Sequence, residues 1–350
     1  MVKRVVFAVP GSLDTPTGGY AYDRRMMAEL RQLGWDVEGL DIGEGFPSPD
    51  EATRSAARSL LLKVPDGQPI VVDGLALGVL PDVVAEVASR HPVLGLVHHP
   101  LALEWGLSAE RADALHRSEK AALASVSEVV VTSPTTAKLV ASDYGVPAER
   151  ITVARPGSDP APKSRGSRSE VPHLLSVGAV VPRKGFDVLV AALATLAELP
   201  WQLTIAGDLT RDPNEAATLD ASISQHRLAG RIAALGAVST ERLAALHDNA
   251  DLFVLASRYE GYGMAYAEAL SYGLPVIGTT AGAVPDTVPR AAGLLVTPGD
   301  AAELAEAVRR VIADAELRRR LSEGALAAAR TLPSWQQSAA IFAAALEKLP

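Results

Sequence analysis

The stretch LFVLASRYEGYGMAYAEALS, Leu252–Ser271, sets an apolar run, a turn bracketed by Gly261 and Gly263, and a helical pattern in direct succession. The run Leu252–Leu255 shows no polar alternation, which is how a strand covered on both faces of a parallel sheet reads. Glycines after it let the backbone turn tightly and come close to a ligand. The same strand–turn–helix unit recurs in both directions along the chain. Strands are predicted at Val5–Val9, Val37–Leu40, Ile70–Val72, Val93–Val97, Val129–Thr132 and Ile151–Ala154, and again at Leu174–Val177, Leu203–Ala206, Ile232–Leu235, Val276–Thr279 and Leu294–Val296. Helical patterns such as Tyr20–Leu33, Ala109–Ser125 and Asp187–Leu199 separate them, so the class is α/β with parallel sheets. Around Arg155–Val171, Pro, Gly, Ser and charge replace the apolar periodicity and mark a linker. Two Rossmann-like domains are expected, 1–160 and 170–333, with an amphipathic helix at about 334–350 packing back on the first.

Composition narrows the chemistry. The 350 residues include no cysteine, which removes disulfides, thiolate nucleophiles and cysteine-ligated metal sites together. Up to residue 160 there are 15 Lys and Arg against 21 Asp and Glu, a balance of −6; beyond it the balance is 18 against 20, or −2. Neither half offers the positive footprint that nucleic acid or an anionic lipid surface demands. The start, MVKRVVFAVPGSLD, reads as a first strand and not as a signal peptide, and no integral membrane segment is visible, which points to a cytoplasmic protein.

Several positions could carry chemistry. Gly11, Gly18 and Gly19 lie between a strand and a helix, where backbone N–H groups can meet an anion, although ordinary turn chemistry has the same look. Their spacing is not G-x-G-x-x-G, which disfavours a nicotinamide enzyme. His98 and His99 follow the strand Val93–Val97, at the sheet edge where open α/β folds bind ligands. Adjacent residues on an extended segment point to opposite sides, so one of the two faces the site, and a structural role is equally compatible with the pattern. Arg183 and Lys184, in VGAVVPRKGFD, suit a diphosphate through a guanidinium fork, a point-charge ammonium and a helix start, against the alternative of a solvated surface pair. Glu260 and Glu268 invite a glycosidase reading, but eight residues, mostly helical, rise about 12 Å, which aims the carboxylates at different parts of one extended ligand. D-x-D, H-E-x-x-H, Walker A and G-x-S-x-G motifs are missing, and no metal is expected.

Together these segments resemble the retaining glycosyltransferases of family 4, which have the GT-B architecture of two Rossmann-like domains facing across a cleft. The resemblance rests on GG at Gly18–Gly19, LVHH at Leu96–His99, ARPGSD at Ala154–Asp159, VGAVVPRKGFDVLVAAL at Val177–Leu193, EGYGMAYAEAL at Glu260–Leu270 and PSWQQSA at Pro333–Ala339. It implies a hexose-type sugar moved from a nucleotide diphosphate sugar, the co-substrate, to an acceptor hydroxyl, with no cofactor, no metal and a front-face mechanism. It implies that Glu260 binds donor-sugar hydroxyls with the amides of Gly261, Tyr262, Gly263 and Met264, and that Glu268 holds the ribose. Arg183 and Lys184 would neutralise the diphosphate with Gly19 near it, and His98 would lie beside the reacting sugar. Gly236 and Val238 are candidates at the base, and Gly18, Tyr20 and His99 on the acceptor side, where a small soluble acceptor is favoured over lipid. The chain departs from the pattern at Ala179, where such proteins often have Arg, at Tyr262 in place of Phe, and at Asp286 in place of Glu. A nucleotide-sugar epimerase, a phosphorylase and a two-lobed sugar-binding protein are the competing readings.

Overall fold

The computed structural model describes residues 3–350. The chain forms two compact units, one running up to Gly157 and taking back Pro333–Pro350, the other Ser158–Leu332. In the first unit β1 (Lys3–Val9), β2 (Trp35–Asp41), β3 (Ile70–Asp73), β4 (Val93–Val97), β5 (Glu128–Val131) and β6 (Ile151–Val153) make one sheet in the order β2-β1-β3-β4-β5-β6. Every pairing is parallel. Helices α1 (Gly18–Gln32), α2 (Glu51–Leu61), α3 (Gly74–Leu77), α4 (Pro81–Ala88), α5 (Ala109–Ser125) and α6 (Pro134–Ser142) connect them. Short polar side chains start these helices by accepting orphan amides: Thr17 from Tyr20, Asp50 from Thr53, Ser108 from Arg111 and Ser133 from Thr136.

The second unit repeats the plan with β7 (His173–Val177), β8 (Gln202–Ala206), β9 (Ile232–Ala234), β10 (Leu252–Val254), β11 (Val276–Thr279) and β12 (Gly293–Val296), ordered β12-β11-β10-β7-β8-β9 and again all parallel. Its helices are α7 (Phe186–Ala194), α8 (Pro213–Gln225), α9 (Thr240–Asn249), α10 (Met264–Ser271), α11 (Val284–Thr287), α12 (Ala301–Ala313) and α13 (Ala315–Ala329). The helix expected over Asp187–Leu199 ends at Ala194. Beyond it the backbone tightens into i→i−3 turns, Thr195 N donating to the Ala192 carbonyl and Leu196 N to that of Leu193, and Pro200, which has no N–H, leaves the Leu196 carbonyl to the buried Trp201 indole.

The last helix, α14 (Trp335–Leu346), opens on a reciprocal capping box between Ser334 and Gln337. It stacks Phe342 on Phe7 of β1, ring centroids 5.6 Å apart. Gly157 is required beside it, because an added Cβ would overlap the backbone of Trp335.

Strand order positions chemistry in both sheets. The chain leaves β1 for β2 on one side and crosses back to β3 on the other; in the second sheet the same reversal falls between β7 and β10. At such a point the connections after two neighbouring strands diverge to opposite faces, leaving a crevice outside the strands' carboxyl ends.

Candidate functional site

In the second unit, the loops after β7 and β10 meet at that reversal. Lys184 Nζ donates to Glu260 Oε1 at 2.6 Å, and Arg183 Nη1 lies 3.5 Å from Oε2 while donating to the Tyr259 carbonyl at 2.8 Å. Ser257 Oγ donates to the same Oε1 at 2.7 Å. Glu260 is buried, and burial alone would raise its pKa; the charges of Lys184 and Arg183 and the bonds from Lys184 and Ser257 outweigh this and lower it to about 2. The loop is held from below: Thr279 Oγ1 donates to the Ser257 carbonyl, Ala283 N to that of Glu260, and Thr287 Oγ1 to that of Tyr262. Arg258 ties the two loops together through the Pro182 carbonyl and the Asp187 carboxylate. Gly263, at φ +90°, precedes α10, which has no side-chain cap.

Glu268 sits within α10, half-buried, and makes no side-chain hydrogen bond among the described residues. Burial, and then the negative charge of Asp159, raise its pKa to about 7. Such a group binds its proton more tightly folded than unfolded, so its ionisation opposes folding as pH climbs from the ordinary carboxylate range through 7. Glu268→Gln is therefore expected to gain about 1–3 kcal/mol over the parent protein at pH 8 and almost nothing near pH 4. Paired denaturant melts at the two pH values check this; equal gains at both would contradict it. Gly236, at φ +73°, and the half-buried Val238 follow β9, where the Gly236 carbonyl accepts from Gly207 N at 2.9 Å.

In the first unit, three elements meet at the other reversal. His98 Nε2, just past β4, lies 3.1 Å from Asp23 Oδ1 on α1 and 3.3 Å from Asp73 Oδ2 at the end of β3. Asp73 also caps α3, its Oδ1 accepting from Leu75 N. Burial works against charge on the imidazole, but the Asp23 charge and bond, then those of Asp73, raise its pKa to about 10. Asp23, fully buried and with Oδ2 unpartnered, is raised to about 6, burial exceeding the opposing pull of His98. Tyr22 sets its ring edge against the imidazole at 5.3 Å, and Gly19 lies on the other side, where an added Cβ would stand 3.4 Å from Cδ2. His99 turns away to Glu104, 3.2 Å distant. Gly18 opens α1, and the Tyr20 hydroxyl donates to the Pro10 carbonyl.

Arg183, Lys184 and Glu260, singled out from sequence, are thus one cluster, with Gly261, Tyr262, Gly263 and Met264 in the same loop. Ser257, Arg258, Thr279, Asp23 and Asp73 were not singled out. A serine three residues before Glu260 and an acid ending a strand carry no distinctive local signal. Among the described residues, Asp23, Asp73 and His98 form the carboxylate–imidazole group whose atoms lie within 4.8 Å of one another, the spacing a cation would require. One ring nitrogen, Nε2, lies within reach of both acids.

The fold matches solved enzymes along its whole length. Sucrose-phosphate synthase from Thermosynechococcus elongatus superposes with a TM-score of 0.85 at 20% identity, covering 99% of this chain and 98% of that one. The Anabaena protein HepE, solved with UDP-glucose, gives 0.79 at 21% identity, covering 99% and 100%. Two parallel six-stranded sheets of this order are the GT-B architecture. Residues 158–327 of the chain match the family model described as Glycosyl transferases group 1. Over 324 residues it is 29% identical to the MMP alpha-(1->4)-mannosyltransferase of Mycolicibacterium hassiacum, covering 87% of this chain and 76% of that protein. Over 228 residues it is 31% identical to the D-inositol 3-phosphate glycosyltransferase of Xylanimonas cellulosilytica, covering 59% of this chain and 54% of the relative. The chain thus spans three quarters of the first relative and about half the length of the second.

Proposed function

We propose that the protein is a retaining glycosyltransferase of family 4 that moves a hexose-type sugar from a nucleotide diphosphate sugar to an acceptor hydroxyl without a metal ion. The observation that carries this reading is the convergence of Lys184 and Arg183 on Glu260 at the reversal of the second sheet. Breaking a glycosyl–phosphate bond develops negative charge on the diphosphate and positive charge on the sugar, and fixed cations and oriented amides lower that barrier. In this reading Lys184 and Arg183 neutralise the diphosphate. Glu260, ionised over the whole working range, binds sugar hydroxyls beside the amides of Gly261 to Met264. Glu268 holds the ribose, Gly236 and Val238 border the base, and Gly19 lies near the diphosphate. Gly18, Tyr20 and His99 belong to the acceptor side. The new bond to the acceptor oxygen forms on the face the phosphate leaves, and the departing phosphate oxygen takes the acceptor's proton.

His98 is assigned to the reacting sugar as a hydrogen-bond donor. With Nε2 committed to two carboxylates and the ring charged, it has no lone pair for a general base, and Asp23 and Asp73 are positioning residues. Asp73→Asn is expected to lower the pH at which His98 gives up its proton from the parent's value of about 10, and so to bring a new ionisation into the kcat/KM profile, as His98 loses one of its two carboxylates. Imidazole NMR shifts followed through pH 5–10 read the same change directly, and a parent His98 that titrates near 6.5 would sink the assignment.

The relatives are named as transferases and synthases, and no observation favours an epimerase, a phosphorylase or a binding protein. No described helix is long and apolar enough to cross a membrane; a cytoplasmic enzyme with a small soluble acceptor is the reading favoured here. A thermal-shift panel of nucleoside diphosphates and their sugars is expected to single out one donor, since a ligand at 100 times its Kd adds about 2.7 kcal/mol. Failure of every donor refutes the donor site, and a product of inverted anomeric configuration refutes retention.

A further inference from the structure

The chain passes out of the first unit after Gly157 and returns to it at Pro333, and the two passages come together there. Trp335, the first residue of α14, is buried against Gly157. Its indole lies 6.0 Å from the ring of Tyr22, tilted by 59°, and the Arg25 guanidinium stands 5.1 Å from the indole centroid. Tyr22 is wholly buried and in turn meets the His98 imidazole at 5.3 Å, nearly perpendicular at 82°. A stack of three rings thus joins the start of the last helix to the cluster at the reversal of the first sheet.

Tyr22 is fixed by more than packing. Its hydroxyl donates to the Ala154 carbonyl at 3.0 Å, and Ala154 N donates to the Val131 carbonyl of β5 at 2.9 Å. Burial pushes the phenol well above its ordinary pKa, so it stays a donor across the working range. Gly19, Tyr22 and Asp23 stand at i, i+3 and i+4 on α1, a spacing that puts all three on one face. That face confines the imidazole: Gly19 lets the helix backbone pass beside Cδ2, Tyr22 sets its ring across the imidazole plane, and Asp23 takes Nε2. The other charged neighbours are Asp73 of β3, also within reach of Nε2, and Arg24, which acts on Asp23. The loop itself is tied down where the His98 carbonyl accepts from Thr132 Oγ1 at 3.0 Å. The His98 side chain nevertheless keeps 20% of its surface exposed, enough to meet a ligand.

We propose that Tyr22 is a positioning residue for the reaction, holding the His98 imidazole with Nε2 toward both carboxylates, and that Trp335 of α14 holds Tyr22. The inference rests on the transferase reading for the role of His98 and adds to it that the last helix is part of the site. Without the Tyr22 ring a cavity opens beside the imidazole, and the side chain turns into it and away from its acids. Without Trp335, Tyr22 loses the surface behind it and transmits the same slackness to His98.

Imidazole NMR titration of the ligand-free full chain, with steady-state rates and nucleoside diphosphate binding, tests the proposal. Tyr22→Leu is expected to lower the pH at which His98 loses its proton by at least about one unit, the shift that a nearby opposite charge sustains. Its kcat is expected to fall about ten- to hundredfold, as a displacement of about 1 Å does. Affinity for the nucleoside diphosphate is expected to stay within about twofold, because Arg183, Lys184 and Glu260 belong to the other unit. Trp335→Leu is expected to move the titration in the same direction by about half a unit, and it decides alone should Tyr22→Leu fold poorly. Tyr22→Phe returns the ring without the tether to Ala154 and is expected to restore most of the titration shift and of kcat. A His98 titration unmoved in the folded leucine variants overturns the proposal, and so does a Tyr22→Phe protein no better than Tyr22→Leu. Nucleoside diphosphate affinity that falls as far as the rate overturns it too, since both residues would then be structural. The titration needs no substrate, so it reads the stack whether or not a donor binds; a parent protein that binds no nucleoside diphosphate would instead refute the transferase reading.

Discussion

Lys184→Ala is expected to lower kcat/KM by about two to three orders of magnitude, the loss that follows removal of one preorganised donor from the position where charge develops. The effect should fall on kcat, because an ammonium aimed at a leaving diphosphate interacts more strongly as its charge grows. The same substitution withdraws the shortest bond to a buried carboxylate, Nζ to Glu260 Oε1 at 2.6 Å. Ser257 and Arg183 remain, so the stability loss is expected to be about 1.5–3 kcal/mol, the range for a hydrogen bond to a charged group. Its pH dependence has a definite sign. Glu260 is held near 2, so its contribution is present above the ordinary carboxylate range and is lost as pH falls through about 2. In the variant that loss should begin at higher pH. Initial rates with the identified donor, and melts between pH 2 and 7, measure both effects; a folded variant with near-normal turnover would dismiss Lys184 from the chemistry.

The second large effect is expected at Gly185. This residue has φ +66° and caps α7, and a Cβ there would overlap the carbonyl oxygen of Ala256 at the end of β10. Gly185→Ala therefore combines a left-handed backbone, about 1–2 kcal/mol for a residue with a Cβ, with a steric shift of about 1–3 kcal/mol. Pushing the loop after β7 from the loop after β10 separates Arg183 and Lys184 from Ser257 and Glu260, the pairing on which the site depends. Displacement by about 1 Å is enough for a hundredfold loss of rate. Circular dichroism melts and donor-binding titrations should show a destabilised protein with a weakened nucleotide site; unchanged melting with full donor affinity would show that the loops are not packed as described.

These two residues also show how far sequence reasoning reaches. The RKG triplet before a helix and the glycines of EGYGM were legible because turn and cap chemistry are local: they depend on neighbours within a few residues. The strands were legible for the same reason, as at Val93–Val97 and Val276–Thr279, where runs of buried side chains match the bounds read from sequence. The end of α7 was not: the chain leaves the helix at Ala194 through i→i−3 turns, ahead of Pro200, the breaker that the sequence displays. Asp23 and Asp73 were likewise invisible, the first reading as one more polar residue in an amphipathic helix.

By itself, then, the amino-acid order determined the alternation of strands and helices, the two-domain plan and the kinds of groups available, since each follows from side-chain spacing and backbone preference. Which of those groups share a charge was decided only by the folded chain. Lys184 meets Glu260 across 76 residues, and His98 meets Asp23 across 75, because strand order sets the loops after β7 and β10, and those after β1, β3 and β4, side by side. That order is a property of how whole helices cover a sheet, an interaction that no local pattern encodes, and the electrostatics of both clusters exist only once it is in place.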